Sequence, residues 1–104
     1  MSTSPTITLC RYWVKDGAEP QFRKLLEQHW PTFQRLGLVA DDPPHLIFRG
    51  HDEERGVFFV ETFPWIDKEA MNRAHSLPEV AAIWEPMGEH CTSMEFPTVE
   101  VVAD

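Results

Sequence analysis

Residues 6–14, Thr-Ile-Thr-Leu-Cys-Arg-Tyr-Trp-Val, are rich in β-branched and aromatic side chains and read as a strand. Ile7, Leu9, Arg11 and Trp13 fall on one face, and Thr8, Cys10, Tyr12 and Val14 on the other. Both faces are largely apolar, so both call for cover. The period then changes from two to about 3.6. From Pro20 to Leu36, a single helical stripe collects Phe22, Leu25, Leu26, His29, Trp30, Phe33 and Leu36. Arg23, Lys24, Glu27, Gln34 and Arg35 fall opposite. Pro20 suits a first turn and Gly37 a left-handed stop. Pro31 deprives the Glu27 carbonyl of its usual donor, which predicts a bend.

After a loop from Val39 to Pro44, His45–His51 and Gly56–Phe63 read as two more strands. Asp52-Glu53-Glu54-Arg55 forms the hairpin turn between them, closed by Gly56. The later of the two is the most apolar segment, as a central strand would be. A helical piece capped by Asp67 runs to His75 and is expected to bury Ala70, Met71 and Ala74. Ser76-Leu77-Pro78-Glu79 has the form of a capping box. It opens a second piece with Val80, Ile83, Trp84, Met87 and Cys91 on one side and a bend at Pro86. A loop through Ser93 leads to a last strand, Phe96–Val102.

The order β-α-β-β-α-β predicts an α+β, ferredoxin-like fold: four antiparallel strands with both helices on one face. The other sheet face then carries apolar side chains with no helix above them. A second copy is the simplest cover, so a homodimer, a dimeric α+β barrel, is expected.

With 104 residues the chain has room for one domain, 1–104, and a modest core. Four Trp, seven Phe and one Tyr exceed what such a core needs. Some should line a pocket and some a subunit contact. The net charge of −8, from 17 acidic and 9 basic residues without a basic cluster, argues against nucleic acid. Apolar runs fall short of the ~20 residues of a membrane span, and Met1–Thr6 is not a signal peptide. Cys10 and Cys91 lack metal-type spacing and read as free thiols of a cytoplasmic protein.

Three segments resemble the antibiotic-biosynthesis-monooxygenase-like family of dimeric α+β barrels. They are Val14-Lys15-Asp16-Gly17, Phe59-Val60-Glu61-Thr62-Phe63, and Ala74 to Trp84 with its His75-Ser76-Leu77-Pro78 core. The resemblance spans residues 6–102 and concerns fold more than chemistry. It implies quinone-forming monooxygenases, heme-degrading enzymes and proteins without a demonstrated reaction as relatives. The heme branch uses Asn, Trp and His at positions that here carry Cys10, Phe63 and Ile83, so heme is not expected. Trp30-Pro31 and Ile83-Trp84 are similar to helix signatures of sugar mutarotases, but Leu26 stands where their catalytic His lies.

His29 is the most informative polar residue, because it sits near the middle of an apolar stripe. A buried imidazole needs a partner, and its usual pKa of ~6.5 makes it a usable acid or base. A structural histidine bonded to the sheet or to water is the plainer alternative. Glu61 lies among Val57, Phe59 and Phe63, where a carboxylate must find a partner or stay protonated. Arg11 or His29 is the expected partner. Both His29 and Glu61 are candidate catalytic residues, and Tyr12, Trp30, Phe63, Trp65, His75 and Trp84 are candidate substrate-binding residues. No His pair at i, i+4 suggests a metal, and no cofactor is expected.

The functional expectation is a small-molecule-binding protein or cofactor-free monooxygenase-like enzyme acting on a small aromatic or cyclic compound. In it His29 would take a phenolic or enolic proton while Tyr12 or Trp65 orients the ring. A non-catalytic binding or stress-associated barrel is the first alternative, and a sugar mutarotase or isomerase the second.

Overall fold

The computed structural model describes residues 7–102; Thr6 at the start of the expected first strand, the rest of the N-terminal segment and residues 103–104 lie outside it. The elements are β1 (Ile7–Val14), α1 (Glu19–Arg35), β2 (Leu46–Asp52), β3 (Gly56–Pro64), α2 (Ala70–His75), α3 (Pro78–Glu89), β4 (Cys91–Glu95) and β5 (Thr98–Val99). The main sheet is antiparallel in the order β2-β3-β1-β4, with β5 also pairing with β1. This is the α+β, ferredoxin-like arrangement, with the second helical region split into two pieces.

Register sets which side chains meet on each face. On the helix-covered face, Thr8 lies opposite Phe63, Cys10 opposite Glu61, and Tyr12 opposite Phe59. Phe22, Leu26, His29 and Phe33 of α1 are buried against that face, in the stripe that the 3.6 period marks. Val80, Ile83 and Met87 do the same from α3. Both helices run through their internal prolines without interruption.

On the opposite face Leu9 pairs with Thr62, Arg11 with Val60, and Trp13 with Phe58. Leu46 and Phe48 extend this surface along β2 and are 47% and 54% exposed. Gly50 leaves room for the Phe58 ring, which lies across that stretch of β2 where a Cβ would stand.

The β2–β3 turn forms as expected. Asp52 Oδ1 accepts the backbone N–H groups of Glu54 and Arg55 at 2.8 and 2.9 Å, and Gly56 closes the turn at a φ of 86°.

Five local expectations are corrected. Cys91 and Ser93 belong to β4, not to a helix and a loop, because α3 ends at Glu89 and the chain pairs at once with β1. The expected strand Phe96–Val102 shrinks to Thr98–Val99, which pair with Thr8 and Ile7; Pro97, just before it, has no N–H to donate to the ladder. The capping box does not form. Pro78 takes the first turn of α3 and favours an extended residue before it, so Leu77 is the N-cap, while Ser76 donates to the Arg73 carbonyl and ends α2. Asp67 is not the helix cap either: it accepts from the Glu69 N–H and pairs with Arg73, and α2 starts at Ala70. Met71, expected inside, is 39% exposed.

Candidate functional site

Glu61 is the centre of the buried polar structure. Strand alternation turns it to the same side as Phe59 and Phe63, under α1, and it is fully buried. A bare carboxylate there would be very costly, so the chain surrounds it with donors. Tyr12 Oη donates to Oε1 at 2.8 Å. His29 Nδ1 meets the same oxygen at 3.0 Å, and His45 Nε2 meets Oε2 at 2.7 Å. Burial pushes the Glu61 pKa up, but the hydrogen bonds from His29, His45 and the Tyr12 hydroxyl outweigh it and bring it down to about 2. Glu61 is therefore ionised at neutral pH.

Arg11, the alternative partner for Glu61, points to the other sheet face and pairs with exposed Glu95 at 3.9 Å. Side chains adjacent in sequence on a strand face opposite ways, and a residue at odd spacing from Tyr12 cannot reach the covered side.

The hydrogen bonds of His29 fix its tautomer. Trp84 Nε1 can only donate, and it reaches His29 Nε2 at 2.8 Å. That nitrogen is thus the acceptor, so Nδ1 carries the ring proton and donates to Glu61. A doubly protonated ring would set two N–H groups against each other at the Trp84 contact. The expectation of a sheet or water partner for a structural His29 gives way to two side-chain partners.

His45 was not singled out from the sequence, where it reads as the first residue of a strand. The structure places it just before β2, with its ring stacked on Trp30 at 4.3 Å and 5°. The available signal was Glu61 itself. An ionised carboxylate has about four acceptor sites, and Tyr12 and His29 leave room for another donor.

A cavity of about 280 Å³ lies beside this network. His29, Tyr12 and Cys10 form its inner part, with Phe63, Trp65 and Trp84 as aromatic walls and Met71, His75 and Phe96 among its exposed residues. Phe63 and Trp65 pack edge to face at 5.1 Å, and His75 packs against Trp84 at 4.9 Å. Trp65 donates its indole N–H to Thr8 Oγ1. Among the described residues the lining contains no Lys, Arg, Asp or Glu. Of the residues expected at a site, Tyr12, His29, Phe63, Trp65, His75 and Trp84 share this wall. Glu61 stands behind His29 and Tyr12, and Trp30 stands outside, against His45.

Burial raises the Cys10 thiol pKa far above its ordinary value, and burial raises that of Cys91 to about 11. Neither is a nucleophile at neutral pH. Burial, with Cys10 and Glu61 adding to it, likewise keeps the Tyr12 phenol protonated. Among the described residues no group of three His, Cys, Asp or Glu is arranged to hold a metal ion, and no helix is long and apolar enough to cross a membrane.

An antiparallel sheet with helices on one face and an aromatic cavity between the layers defines a class of protein. The fold is that of the antibiotic-biosynthesis-monooxygenase-like proteins. SnoaB of Streptomyces nogalater, a cofactor-independent oxygenase, superposes with a TM-score of 0.72 at 17% identity, over 98% of this chain and 97% of its own. A candidate antibiotic biosynthesis monooxygenase of Bordetella bronchiseptica gives 0.75 at 14% identity, over 97% and 100%. A conserved protein of Methanosarcina mazei gives 0.72 at 11%, over 93% and 92%. At these identities the likeness is one of fold. No protein-family model and no curated protein matches the sequence.

Proposed function

We propose that this chain binds a small, uncharged aromatic or cyclic compound in the 280 Å³ cavity and acts on it as a cofactor-free monooxygenase, with His29 as the base. The observation that carries this reading is His29 itself: a neutral imidazole at the wall of an aromatic cavity, its Nδ1–H anchored on an ionised carboxylate. A proton arriving at Nε2 makes an imidazolium beside Glu61, which the carboxylate stabilises without moving. The described residues of the lining carry no cationic or acidic side chain, which favours neutral ligands, because a charged one would lose its hydration uncompensated.

In the reaction, the substrate hydroxyl gives its proton to His29 and keeps the electron pair. The resulting electron-rich ring is oxidised by dioxygen: a ring C–H is replaced by C=O, and one oxygen atom leaves as water. A hydroxyarene plus O2 thereby gives a quinone plus H2O. The aromatic walls and the apolar methionines keep bulk water from the reactive ring. The SnoaB fold likeness is consistent with such chemistry. A non-catalytic binding barrel is the second reading, favoured by one fact: both nitrogens of His29 are already bonded to other side chains of the protein.

Oxygen uptake measured with a panel of polycyclic phenols tests the two readings. Stoichiometric uptake with quinone formation, abolished in His29→Gln, supports the oxygenase. Tight binding of co-purifying aromatics, identified by mass spectrometry, with no uptake from any of them, leaves the binding barrel.

The reading includes a homodimer joined through the helix-free face. Exposed Leu46 and Phe48 beside Val60 and Leu9 make an apolar surface that a second copy would bury.

A further inference from the structure

The base on which the proposed function relies is covered by a neighbouring side chain. His29 Nε2, its only nitrogen not committed to Glu61, accepts the Trp84 indole N–H at 2.8 Å. Trp84 is half-buried, belongs to the cavity wall and has the exposed ring of His75 against its outer side. The two faces of this hydrogen bond differ in chemistry. Trp84 Nε1 offers a donor and nothing else, and His29 Nε2 offers a lone pair and nothing else.

We propose that Trp84 and His29 form a self-capped pair that opens for a hydroxyl group, with Trp84 as the donor that holds the oxygen whose proton His29 takes. A hydroxyl is the simplest group that can enter between them and leave both satisfied: its oxygen accepts the indole N–H while its own O–H is donated to Nε2. An ether or quinone oxygen can satisfy Trp84 but leaves Nε2 without a donor. If instead the pair stays closed, that oxygen is left unpartnered against an apolar wall. The site therefore selects phenols and enols over ethers and quinones of the same outline.

The same contact assists proton transfer. As the hydroxyl proton moves to Nε2, the oxygen keeps the bonding pair and gains negative charge, and the indole N–H already points at it. Imidazolium and oxyanion are left side by side, and Glu61 holds the far nitrogen. Trp84 is in this sense a catalytic residue, since it touches the reacting oxygen. The inference rests on the reading of the cavity as a ligand site, and its test separates the two.

The probes are 2-naphthol and 2-methoxynaphthalene, titrated into isotope-labelled full-length protein. NMR follows the Trp84 indole N–H and the Met71 and Met94 methyl groups at the cavity wall. The expected result is binding of 2-naphthol about tenfold tighter or more than the ether, with displacement of the Trp84 indole signal by the naphthol. In Trp84→Phe, which keeps an aromatic wall, the ionised fraction of bound 2-naphthol at fixed pH should fall about tenfold. Wild-type signals alone decide the matter if that variant fails to fold. Equal affinities, with both methionines responding and the Trp84 indole unmoved, would overturn the capped pair and leave the ligand cavity standing. No response at either methionine to either probe would overturn the cavity reading, and the capped pair with it.

Discussion

The two faces of the sheet share the same strands and differ in how their polar groups are treated. On the covered face, Glu61 is completely buried, yet each of its oxygens is bonded, and no buried side-chain nitrogen or oxygen among the described residues lacks a partner. On the open face, Arg11 and Glu95 form a loose pair that is almost half exposed, and the apolar side chains of Leu46 and Phe48 face outward. Polar groups in the first place are few, expensive and tied to one another. In the second they are screened by water and individually cheap. The chain thus completes one face by itself, down to the last hydrogen bond, and leaves the other to be finished by something else. In the proposed function that asymmetry would put the chemistry under the helices and the association surface on the other side.

The largest expected effect comes from breaking the covered network at its centre. Glu61→Ala would leave the Tyr12 hydroxyl and two imidazoles without their acceptor, at a cost of about 3–5 kcal/mol. Chemical denaturation should show this loss. A cost under about 1 kcal/mol would mean that water replaces the carboxylate and that the covered face is less closed than the burial indicates.

Next in size is the open face. Phe48→Glu would place a charge in the apolar surface and should raise the dimer dissociation constant by about thirtyfold, which corresponds to ~2 kcal/mol. Sedimentation equilibrium of wild type and variant measures this. A wild-type chain that sediments as a monomer at micromolar concentration would remove the homodimer from the proposal.

His29 separates structure from chemistry within the covered face. His29→Ala leaves the Trp84 N–H and one oxygen of Glu61 short of a partner, an expected loss of about 1–3 kcal/mol. His29→Gln restores a donor to Glu61, so it should recover much of the melting temperature but none of the turnover. Recovery of both would make the residue a structural one.

Glu61 also sets a pH dependence. Its unfolded carboxyl has a pKa of ~4.3, and in the folded protein this falls to about 2. The unfolded chain takes up the proton first as pH falls. The stability contributed by the charge is therefore full above about pH 5, shrinks progressively below it, and is gone once pH passes the folded value. The difference in melting temperature between wild type and Glu61→Gln should narrow between pH 5 and 2.5. A constant difference would assign the effect to shape and not to charge. The smallest effect belongs to Arg11→Ala, expected to change stability by less than ~0.5 kcal/mol because its pair is exposed.

Much of this asymmetry is legible in the chain. The alternation of Thr8, Cys10 and Tyr12, with the helical stripe through Phe22, Leu26, His29 and Phe33, is a local property of sequence. It fixes the element types and marks His29 and Glu61 as polar residues in apolar settings. The boundaries of α2, α3 and β4 were harder to read, because each depends on competition between neighbours: Pro78 displaced the Ser76 cap, and pairing with β1 claimed Cys91 and Ser93. Local signals cannot rank such alternatives, since the energy that decides them comes from distant strands.

Sequence by itself determined that β1 and β3 are strands with apolar faces, that His29 sits in the apolar stripe of α1, and that Glu61 needs a partner, with Arg11 and His29 both open to it. Only the tertiary structure decided how these groups are joined. Tyr12, His29, His45 and Glu61 are separated by up to 49 positions along the chain, and their hydrogen bonds depend on strand register and helix placement to within a few tenths of an ångström. The same holds for Trp84, whose apolar helical position suggests packing while its single N–H closes the ring of His29. Periodicity reports which side of an element a residue occupies; which atom it meets there is set by packing across the whole domain.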